Sequence, residues 1–578
     1  MKLIDALAIS RRPAAQDAPV TRVSLACGFT PLHLETHLLA HLKLRRPDRE
    51  VVLTSGLYGD LVGNLERLEN DVMDACIVVE WADLDPRLGL RSLGGWRPSS
   101  LSDILSTAES RAQRFGESIA RLERSASVAV SLPTLPLPPI GFNPGWCAGK
   151  FELELRATLR RLTERTSSAC IVSQQRLDTT SPPGNRLDVA SEFQTGFPYT
   201  KEHAAVLGEL LARALNPPQP KKGIISDLDD TLWKGVVGEI GSAEVAWDLN
   251  GGAQIHGLYQ QLLDSLAEAG TLLAIASKND PAVVEEALAR SDLALHRDRL
   301  FPVEVNWKPK SESVARILSA WNVSADSVVF VDDSPMELAE VKRVFPEITT
   351  MQFTAQDTRS AWTMLEELRD LFGKSALNAE DALRISSLRQ GPEFMQTAPS
   401  NPTAARDFLT SLEAVMTIDA SKDPPPRRAY ELVNKTNQFN MNGVRLSWGE
   451  WCTFLAGPDR FQWLIGYRDK YGPLGGIAVV AGERKGRTVQ LHNWVMSCRA
   501  FSRDIEHASL RRLFESLDVD EVVLDVAETG RNGPFREFLR LYAPWPEAGP
   551  ARILREAFDA RCPALSIRAQ EAEIAGPA

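Results

Sequence analysis

Residues 223–231, G-I-I-S-D-L-D-D-T, decide the fold of the middle of this chain. An apolar run of β type ends on Asp227, and Asp229 follows two residues later, so both carboxylates are expected to leave a strand on the same side. One carboxylate of such a pair can attack a phosphoryl group while the other transfers protons. A bound Mg²⁺ would neutralise the oxygens that repel the nucleophile. An Asx-turn with surface acids is the alternative interpretation of this segment alone.

Three more polar segments follow predicted strands further along the chain. They are Ser277-Lys278-Asn279-Asp280, Trp307-Lys308-Pro309-Lys310-Ser311 and Asp332-Asp333-Ser334-Pro335. Together they supply a hydroxyl donor, a cation and a second acidic pair at one edge of one sheet. A phosphoryl-transfer site needs charge-assisted donors for the phosphoryl oxygens and a carboxylate for the metal. Four such segments in order favour this site over four unrelated turns.

The elements around these segments alternate between strand and helix. Strands are predicted at 223–227, 271–276 and 328–331, and helices at 255–269, 281–290 and 334–343. This alternation predicts an α/β fold with a doubly wound parallel sheet, whose ligands bind outside the carboxyl ends of the strands.

Irregular segments divide the chain. The proline-rich stretch 215–222 predicts a linker, and a second irregular region spans about 374–407. We therefore predict three domains, at 1–215, 221–373 and 404–570. The first alternates β-type runs with helical patterns and predicts another open parallel sheet, whereas the third carries antiparallel strand patterns and predicts an α+β domain.

Composition limits the function. The 578 residues are 44% hydrophobic and 24% charged, which is typical of globular protein. The net charge of −11 argues against a nucleic-acid partner. The apolar runs are shorter than the ~20 residues of a transmembrane helix, which argues against a membrane partner. Seven scattered cysteines without a C-x-x-C pair are typical of reduced thiols in a cytoplasmic protein.

The four polar segments together resemble the haloacid dehalogenase (HAD) phosphatase superfamily. The resemblance implies that Asp227 is the phosphoryl-accepting nucleophile, that Asp229 is the acid/base and that Lys310 stabilises the phospho-aspartyl form. Lys308 is the rival of Lys310, because spacing does not decide which lysine points inward. The remaining implied roles are substrate binding by Thr231, Ser277, Lys278, Asn279 and Lys308, and Mg²⁺ binding by Asp227, Asp229, Asp332 and Asp333.

The resemblance becomes more specific over longer strings. The strings D-L-D-D-T-L-W-K-G-V-V-G-E, S-K-N-D, N-W-K-P-K-S and V-D-D-S-P are similar to the FkbH-like family, the glyceryl transferase/phosphatases of polyketide pathways. This family carries an SGNH-like N-terminal α/β region, of flavodoxin-like type, and a GNAT-like C-terminal region. The latter is suggested here by the stretches 434–440, 494–499 and 529–534.

This second resemblance implies an activity and its partners. A phosphorylated three-carbon acyl donor, 1,3-bisphosphoglycerate, would be loaded as a glyceryl unit, dephosphorylated and passed to a phosphopantetheinyl acyl carrier protein. Two alternatives stay open. One is a plain phosphomonoester hydrolase, and the other is a non-catalytic scaffold that docks a carrier protein.

The chain departs from the family pattern at three places. Relatives commonly have Cys where this chain has Ala276, and residues 223–371 contain no cysteine. An acyl group is therefore expected to pass directly to the carrier, or through a thiol of another domain such as Cys498 or Cys27. Lys234 replaces a glycine of relatives. It is either a selector of an anionic donor or a solvated side chain. The stretch 499–504 lacks the glycine of a pyrophosphate-binding loop, which argues against acetyl-CoA chemistry and for carrier docking.

Smaller signals lie in the outer regions. Ser24 or Cys27 stands near the expected place of an SGNH nucleophile, but an inert core position is favoured because cysteine is among the most buried residue types. A structural role is favoured likewise for His203. The amides of Asn437-Gln438-Phe439-Asn440 suit polar recognition and turn formation equally.

Overall fold

The computed structural model describes residues 1–15, 18–68, 74–140, 144–374, 406 and 409–571. The chain divides into two compact units. One comprises Met1–Pro218, Lys422–Pro425 and Arg445–Arg460, and the other comprises Gln219–Ser421, Pro426–Val444 and Phe461–Ala578. The three predicted domain ranges stay a prediction, and the irregular region at 374–407 lies almost wholly outside the described residues.

The first unit contains a five-stranded parallel sheet in the order β2-β1-β3-β4-β5. Its strands are β1 (Val20–Cys27), β2 (Glu50–Ser55), β3 (Asp74–Val78), β4 (Val128–Ser131) and β5 (Cys170–Ile171). The helices before residue 216 are α1 (Leu3–Ser10), α2 (Leu32–Arg45), α3 (Leu61–Leu68), α4 (Trp81–Leu84), α5 (Leu101–Leu122), α6 (Lys150–Glu164), α7 (Gln174–Thr180), α8 (Val189–Thr195) and α9 (Lys201–Leu215). Strand order 2-1-3-4-5 is one of the two common doubly wound orders. The predicted open parallel sheet is thus confirmed.

The central sheet is also parallel, in the order β10-β9-β6-β7-β8. Its strands are β6 (Gly223–Ser226), β7 (Leu272–Ser277), β8 (Leu300–Val305), β9 (Val328–Asp332) and β10 (Thr349–Gln352). The helices are α10 (Val237–Ile240), α11 (Gln254–Glu268), α12 (Pro281–Leu288), α13 (Lys310–Trp321), α14 (Pro335–Val344) and α15 (Thr358–Phe372). All residues of β6, β7 and β9 are buried, which is why they read as nearly continuous apolar runs.

The direction of winding reverses beside β6. The chain runs from β6 to β7 and β8 on one side, and then adds β9 and β10 on the other. In open α/β sheets, ligands bind outside the carboxyl ends of the strands at such a reversal. The cleft is therefore expected between the ends of β6 and β9, where the aspartates stand.

The last sheet is mixed, with the order β17-β16-β15-β14-β13-β11-β18 and with β12 paired to β15. Its strands are β11 (Val415–Asp419), β12 (Phe439–Asn440), β13 (Arg460–Asp469), β14 (Gly472–Lys485), β15 (Thr488–Met496), β16 (Glu521–Leu524), β17 (Ala551–Leu554) and β18 (Arg568–Glu571). The remaining helices are α16 (Arg427–Lys435), α17 (Trp448–Leu455), α18 (Ile505–Ser516), α19 (Gly533–Arg540) and α20 (Arg555–Arg561).

Two long elements of the first unit have no counterpart among the elements that the sequence predicts there, which are strands at 51–54, 75–79 and 127–130 and helices at 32–44 and 152–162. The strand β1 contains Thr21, Arg22 and Ser24, so its sequence lacks the apolar run that marked the other strands, yet all but two of its residues are buried. Helix α5 was missed as well.

Among the described residues, no helix is both long enough and apolar enough to cross a membrane.

The end of α5 is tied to the chain entering β5 by one carboxylate. Glu123 accepts hydrogen bonds from the backbone amides of Ser167, Ser168 and Ala169 at 2.8–3.0 Å, and from the Ser167 hydroxyl at 2.7 Å. Burial alone would raise the pKa of Glu123, but these hydrogen bonds to the charged form outweigh burial and lower it.

We expect Glu123→Gln to destabilise the protein in a pH-dependent way. Replacing the carboxylate takes a charged acceptor away from three amides and a hydroxyl, and a hydrogen bond to a charged group contributes about 1.5–3 kcal/mol of unfolding free energy at neutral pH. Because the folded pKa is lowered, the wild-type contribution is complete above the ordinary glutamate pKa of about 4.3 and is lost as pH falls through the folded value. Urea unfolding of both proteins at pH 7 and pH 3.5 measures this. A difference that does not shrink at pH 3.5 contradicts the assignment, and Glu117→Gln on the exposed face of α5 is the control.

Candidate active site

The backbone brings the polar segments to one edge of the central sheet. Ser226 pairs with Ile275 of β7 and with Val331 of β9, and the amide of Asp227 donates to the carbonyl of Val331 at 2.9 Å. The residues that follow β6, β7 and β9 therefore lie side by side at the winding reversal.

Lys310 lies between two of the aspartates. Its Nζ is 2.9 Å from Asp227 Oδ1 and 2.6 Å from Asp332 Oδ2. All three side chains are buried, with Asp332 0% exposed. Removing one partner of such a pair leaves a buried charge without a counter-charge, which is strongly destabilising. Each of the three groups therefore holds the other two in place.

Burial and charge shift the pKa values of this group. Burial, with a smaller contribution from the charge of Asp332, raises the pKa of Asp227 to about 6, although Lys310 opposes the shift. Burial also raises the pKa of Asp332. For Lys310, burial favours the neutral form, but the two carboxylates outweigh burial and raise the pKa. Lys310 thus favours the charged forms of Asp227 and Asp332, and the two carboxylates favour the charged form of Lys310.

Three carboxylates converge in a way that suits a hard cation. One oxygen from each of Asp227, Asp332 and Asp333 lies within 4.8 Å of the others. Asp333 is half-buried, and burial raises its pKa. Carboxylate oxygens are the ligands that Mg²⁺ prefers, and it is usually held by one or two carboxylates together with water and substrate phosphates. The chemistry and spacing of these donors fit Mg²⁺.

The side chain of Asp229 lies outside that group. Its Oδ1 accepts hydrogen bonds from Trp233 Nε1 at 2.9 Å and from the amide of Val237 at 3.1 Å. Its Oδ2 accepts from Asn279 Nδ2 at 2.9 Å. The chain turns back at Asp230, which has a φ of 50° and whose Oδ1 accepts from the amide of Gly235. The metal-ligand role of Asp229 stays a prediction, and its orientation is fixed by these donors.

The predicted phosphate-binding residues form a connected set behind Asp229. Asn279 donates to Ser277 Oγ at 3.1 Å as well as to Asp229, and both residues are 3% exposed. Thr231 is fully buried, and its hydroxyl accepts from the amide of Asp333 at 3.0 Å. Thr231 thus holds the segment that carries Asp333. Substrate contacts of these residues stay predictions.

The side chains of the three predicted site lysines, Lys278, Lys308 and Lys310, point in different directions. Lys278 lies 2.7 Å from Glu337 Oε1 and is partly exposed. The side chain of Lys308 is 65% exposed and approaches Glu312 at 3.8 Å, whereas Lys310, the first residue of α13, reaches the aspartates. The structure therefore places Lys310, and not Lys308, at the carboxylates. Glu337 and Trp233 were not singled out from the sequence, although Trp233 stands in the quoted string, four residues after Asp229.

Two positions where the sequence departs from the FkbH-like pattern have clear environments. Ala276 is fully buried in an apolar cluster with Ile225, Val314 and Phe330. Lys234 is exposed, and its Nζ donates to the carbonyl of Gly251 at 3.1 Å. Position 276 is thus a core position, and Lys234 binds the segment that follows its own turn.

The candidate nucleophile and base of the first unit are structural. Cys27 is 3% exposed, its Sγ donates to the carbonyl of Phe29, and burial raises its pKa to about 12. His203 is fully buried, with Nδ1 2.9 Å from Ser181 Oγ and Nε2 2.9 Å from Thr134 Oγ1. Burial lowers its pKa to about 3. Neither group is available for hydrolytic chemistry, in agreement with the favoured interpretation.

A cavity of about 1700 Å³ nevertheless opens at the carboxyl ends of β1 to β4. Aromatic and aliphatic side chains such as Phe29, Trp81 and Phe115 line it together with several arginines. Among the described residues that line it, there is neither a cysteine nor a histidine. The cavity offers room for a ligand.

Comparison with known proteins supports the fold. No family model and no curated protein matches this chain. A crystal structure of the N-terminal part of BF1531 from Bacteroides fragilis, containing a phosphatase domain complexed with Mg, superposes with a TM-score of 0.51 at 18% identity. The match covers 65% of this chain and 100% of that one. A domain from Methanocaldococcus jannaschii matches 24% of this chain and 99% of that one, at 12% identity and a TM-score of 0.20, too low to support a conclusion.

We expect Asp332→Asn to weaken the binding of a divalent cation. One of three converging oxygen donors loses its charge, and even outer-shell changes typically cost about 10–100-fold in metal affinity. Calorimetric titration with Mn²⁺ or Mg²⁺ measures the loss, with Asp370→Asn on α15 as control. Equal affinity in the two variants contradicts a metal site at Asp227, Asp332 and Asp333.

Proposed function

We propose that this protein is a Mg²⁺-dependent phosphoryl-transfer enzyme of the HAD type. One observation carries the proposal: a buried lysine bridges two buried aspartates at the winding reversal of a doubly wound sheet. The likeness to the BF1531 fragment, a phosphatase domain complexed with Mg, supports it.

The first step belongs to Asp227. Its carboxylate oxygen attacks the phosphorus atom, a bond from Asp227 to phosphorus forms, and the bond from phosphorus to the leaving oxygen breaks. A bound Mg²⁺ would offset the repulsion between Asp227 and the phosphoryl oxygens. Lys310 stabilises the negative charge of Asp227 and then that of the transferred group. Its ammonium already lies 2.9 Å from the attacking carboxylate.

Asp229 handles the protons. Protonated, it gives its proton to the leaving oxygen. It then takes a proton from the water that attacks the phospho-aspartate, which regenerates Asp227 and releases phosphate. The hydrogen bonds from Trp233, Val237 and Asn279 hold its carboxyl group in place for both transfers.

We propose further that the donor is a phosphorylated three-carbon acyl phosphate and the acceptor an acyl carrier protein, as in the FkbH-like family. The thiol of the carrier's pantetheine attacks the acyl carbon, a thioester forms and phosphate leaves. The remaining phosphate ester is then cleaved at Asp227. The support is the similarity of the four strings, and the SGNH-like and GNAT-like flanks belong to the same proposal.

The packing of Ala276 bears on the route of the acyl group. Since this position is in the core and carries no thiol, direct transfer to the carrier is favoured over a covalent acyl intermediate on this strand. The same feature keeps a second candidate open, a HAD phosphomonoesterase without acyl transfer.

In the C-terminal region the space between two neighbouring strands is occupied, which argues against acyl-CoA chemistry there. Strands β15 and β16 pair only as far as Leu491 and Leu524. Beyond them, β12 pairs with Val495 and Met496, and Asn442 donates to the carbonyls of His492 and Asp525. The chain's own segment fills the space that a pantetheine arm would need between the two strands.

Asp227→Asn should reduce phosphate release by orders of magnitude without changing the fold. The amide keeps the shape but removes the attacking charge on which covalent catalysis depends. Release of phosphate from small phosphate esters and acyl phosphates, with and without EDTA, measures the effect. Residual activity within about tenfold of wild type contradicts a covalent role, and so does full turnover in EDTA.

Two neighbouring lysines provide a matched control. Lys310→Met should cost on the order of 2.7–4 kcal/mol of transition-state stabilisation, as a lost oxyanion donor does, whereas Lys308→Met should change kcat/KM little because its side chain faces solvent. The reverse order would assign the role to Lys308.

Acylation of a carrier separates the two candidate functions. We expect intact mass spectrometry to show a glyceryl adduct on a phosphopantetheinyl carrier protein incubated with the enzyme and 1,3-bisphosphoglycerate. Replacing Cys27 and Cys498 together by Ser should leave that adduct nearly intact, because direct transfer needs no thiol of this protein. An acyl adduct on either cysteine would establish a relay instead. Phosphate release without carrier acylation would favour the phosphomonoesterase.

A further inference from the structure

The cavity of about 1700 Å³ in the first unit lies where the winding of its sheet reverses. The chain places β2 on one side of β1 and places β3, β4 and β5 on the other side. Residues that follow β1 and β3 line the cavity, among them Phe29 and Trp81. Open α/β sheets bind their ligands outside the carboxyl ends of the strands at such a reversal. The cavity therefore has the position of a ligand site.

The walls of the cavity are tied to one another by side-chain contacts. Trp81 Nε1 donates to the carbonyl of Leu135 at 2.8 Å, which joins α4 to the segment after β4. Arg91 Nε lies 3.1 Å from Glu192 Oε1, which joins the segment after α4 to α8. Ligand pockets are usually largely formed before the ligand binds, and these contacts fix the walls in place.

Large apolar side chains that face solvent are concentrated at this cavity. Five of them line it and come from three separate segments of the first unit: Tyr58, Leu93, Trp96, Val189 and Phe193. Apolar surface that is gathered in one place and left uncovered marks a binding site. Most ligand pockets measure about 300–1,000 Å³, so this larger cavity leaves room for an extended molecule.

The charged residues of the lining balance one another. Among the described residues that line the cavity, five are arginines and five are acidic. Three ion pairs match six of these charges, namely Arg67 with Asp60, Arg91 with Glu192 and Arg114 with Glu66. The lining therefore has no excess charge to favour an ionic ligand, and an uncharged molecule avoids the cost of moving a charge out of water.

Asp83 stands at the winding reversal itself. Its Oδ2 accepts a hydrogen bond from the amide of Glu80 at 2.8 Å. Its Oδ1 lies so close to Gly28 that a Cβ at that position would be 1.7 Å away. The carboxyl group thus occupies the place that a side chain at position 28 would take, at the end of β1.

The second oxygen of Asp83 can accept a further hydrogen bond. Among the described residues, none donates to Oδ1, and Arg111 donates at 3.0 Å to the backbone carbonyl of Asp83 rather than to its carboxyl group. Burial, with a smaller contribution from the charge of Glu80, raises the pKa of Asp83 to about 7, as expected for a buried carboxylate with few donors. A hydroxyl group of a ligand would supply another donor.

From these features we propose that this cavity binds an uncharged, extended and largely apolar small molecule, which donates a hydrogen bond from a hydroxyl group to Asp83. The apolar side chains cover the body of the ligand, and the carboxylate fixes its polar end. The site lies within the first unit, so the proposal does not depend on the phosphoryl chemistry proposed for the central sheet.

Two isomeric ligands test the role of the hydroxyl group. The alcohol n-octanol and the ether heptyl methyl ether contain the same atoms, but only the alcohol donates a hydrogen bond. Each is titrated against the uncharged fluorescent dye Nile red bound to the full chain. The titration is run at pH 8.5, where a carboxyl group with a pKa of about 7 is mostly ionised and only accepts. The alcohol should displace the dye at a concentration about tenfold lower than the ether, because a hydrogen bond to a charged group contributes at least that factor.

Asp83→Asn separates the hydrogen bond from the packing. The oxygen of the new side chain can keep the contact with the amide of Glu80, and its amino group then faces the ligand as a donor. The ether should therefore bind at least as well as the alcohol. Asp48→Asn is the matched control, since Asp48 is exposed in the same unit and lies outside the lining, and it should keep the preference for the alcohol.

The apolar wall is tested by Trp96→Ala combined with Phe193→Ala. Both side chains line the cavity and are exposed, so their loss should weaken binding of the dye and of both isomers by about tenfold without changing the preference for the alcohol. Trp146→Ala is the control, because Trp146 is also exposed but lies outside the lining, and it should leave binding unchanged.

The proposal is overturned if the wild-type chain does not bind the dye, if the double variant binds it as tightly as wild type, or if the two isomers displace it equally. Displacement by neither isomer overturns it as well and favours an apolar protein segment as the occupant. Should Asp83→Asn fail to fold, as circular dichroism would show, the two isomers on the wild-type chain decide. Asp227→Asn should leave every titration unchanged, so failure of the catalytic proposal is distinguishable from failure of this one.

Discussion

The ammonium of Lys310 between two buried carboxylates is the interaction on which the central site depends. Asp227 and Asp332 are brought together because β6 and β9 are neighbouring parallel strands whose ends meet at one edge. Burying two such charges without a counter-ion would cost several kcal/mol for each. Lys310 meets this requirement from the first position of α13, and the next residue, Ser311, is fixed by Glu340, which accepts from its amide at 3.1 Å. The start of one helix, the ends of two strands and the charge of Asp227 are thus fixed by one interaction.

The position of the site could be predicted from the sequence, because parallel strands with buried apolar runs must end at the same edge whatever the rotamers of the residues beyond them. The direction of single side chains could not. The period of two places Asp229 beside Asp227 only while the strand continues, and β6 ends at Ser226. The chain then turns at Asp230, and Asp229 accepts hydrogen bonds from Trp233, Val237 and Asn279. The choice between Lys308 and Lys310 likewise depended on knowing that helix α13 begins at Lys310.

The first unit shows the same limit for buried polar groups. Ser181 and Thr134 stand 22 and 69 residues from His203 in sequence and meet its two ring nitrogens in the structure. No local pattern announces such partners, whereas the burial of Cys27 follows from the general behaviour of its residue type. Strand β1 was missed for a related reason. Its polar residues interrupt the apolar run, but its interior position in the sheet, between β2 and β3, buries most of them.

At the carboxyl edge of the central sheet, a single lysine is enclosed by carboxylates, so its charge is matched and, in the proposed reaction, the site would take a metal and a phosphoryl group together. This arrangement suits chemistry on a phosphoryl group, since charge is redistributed during transfer. Because β6 (Gly223–Ser226) leads directly into Asp227, one short buried strand sets the position of the site.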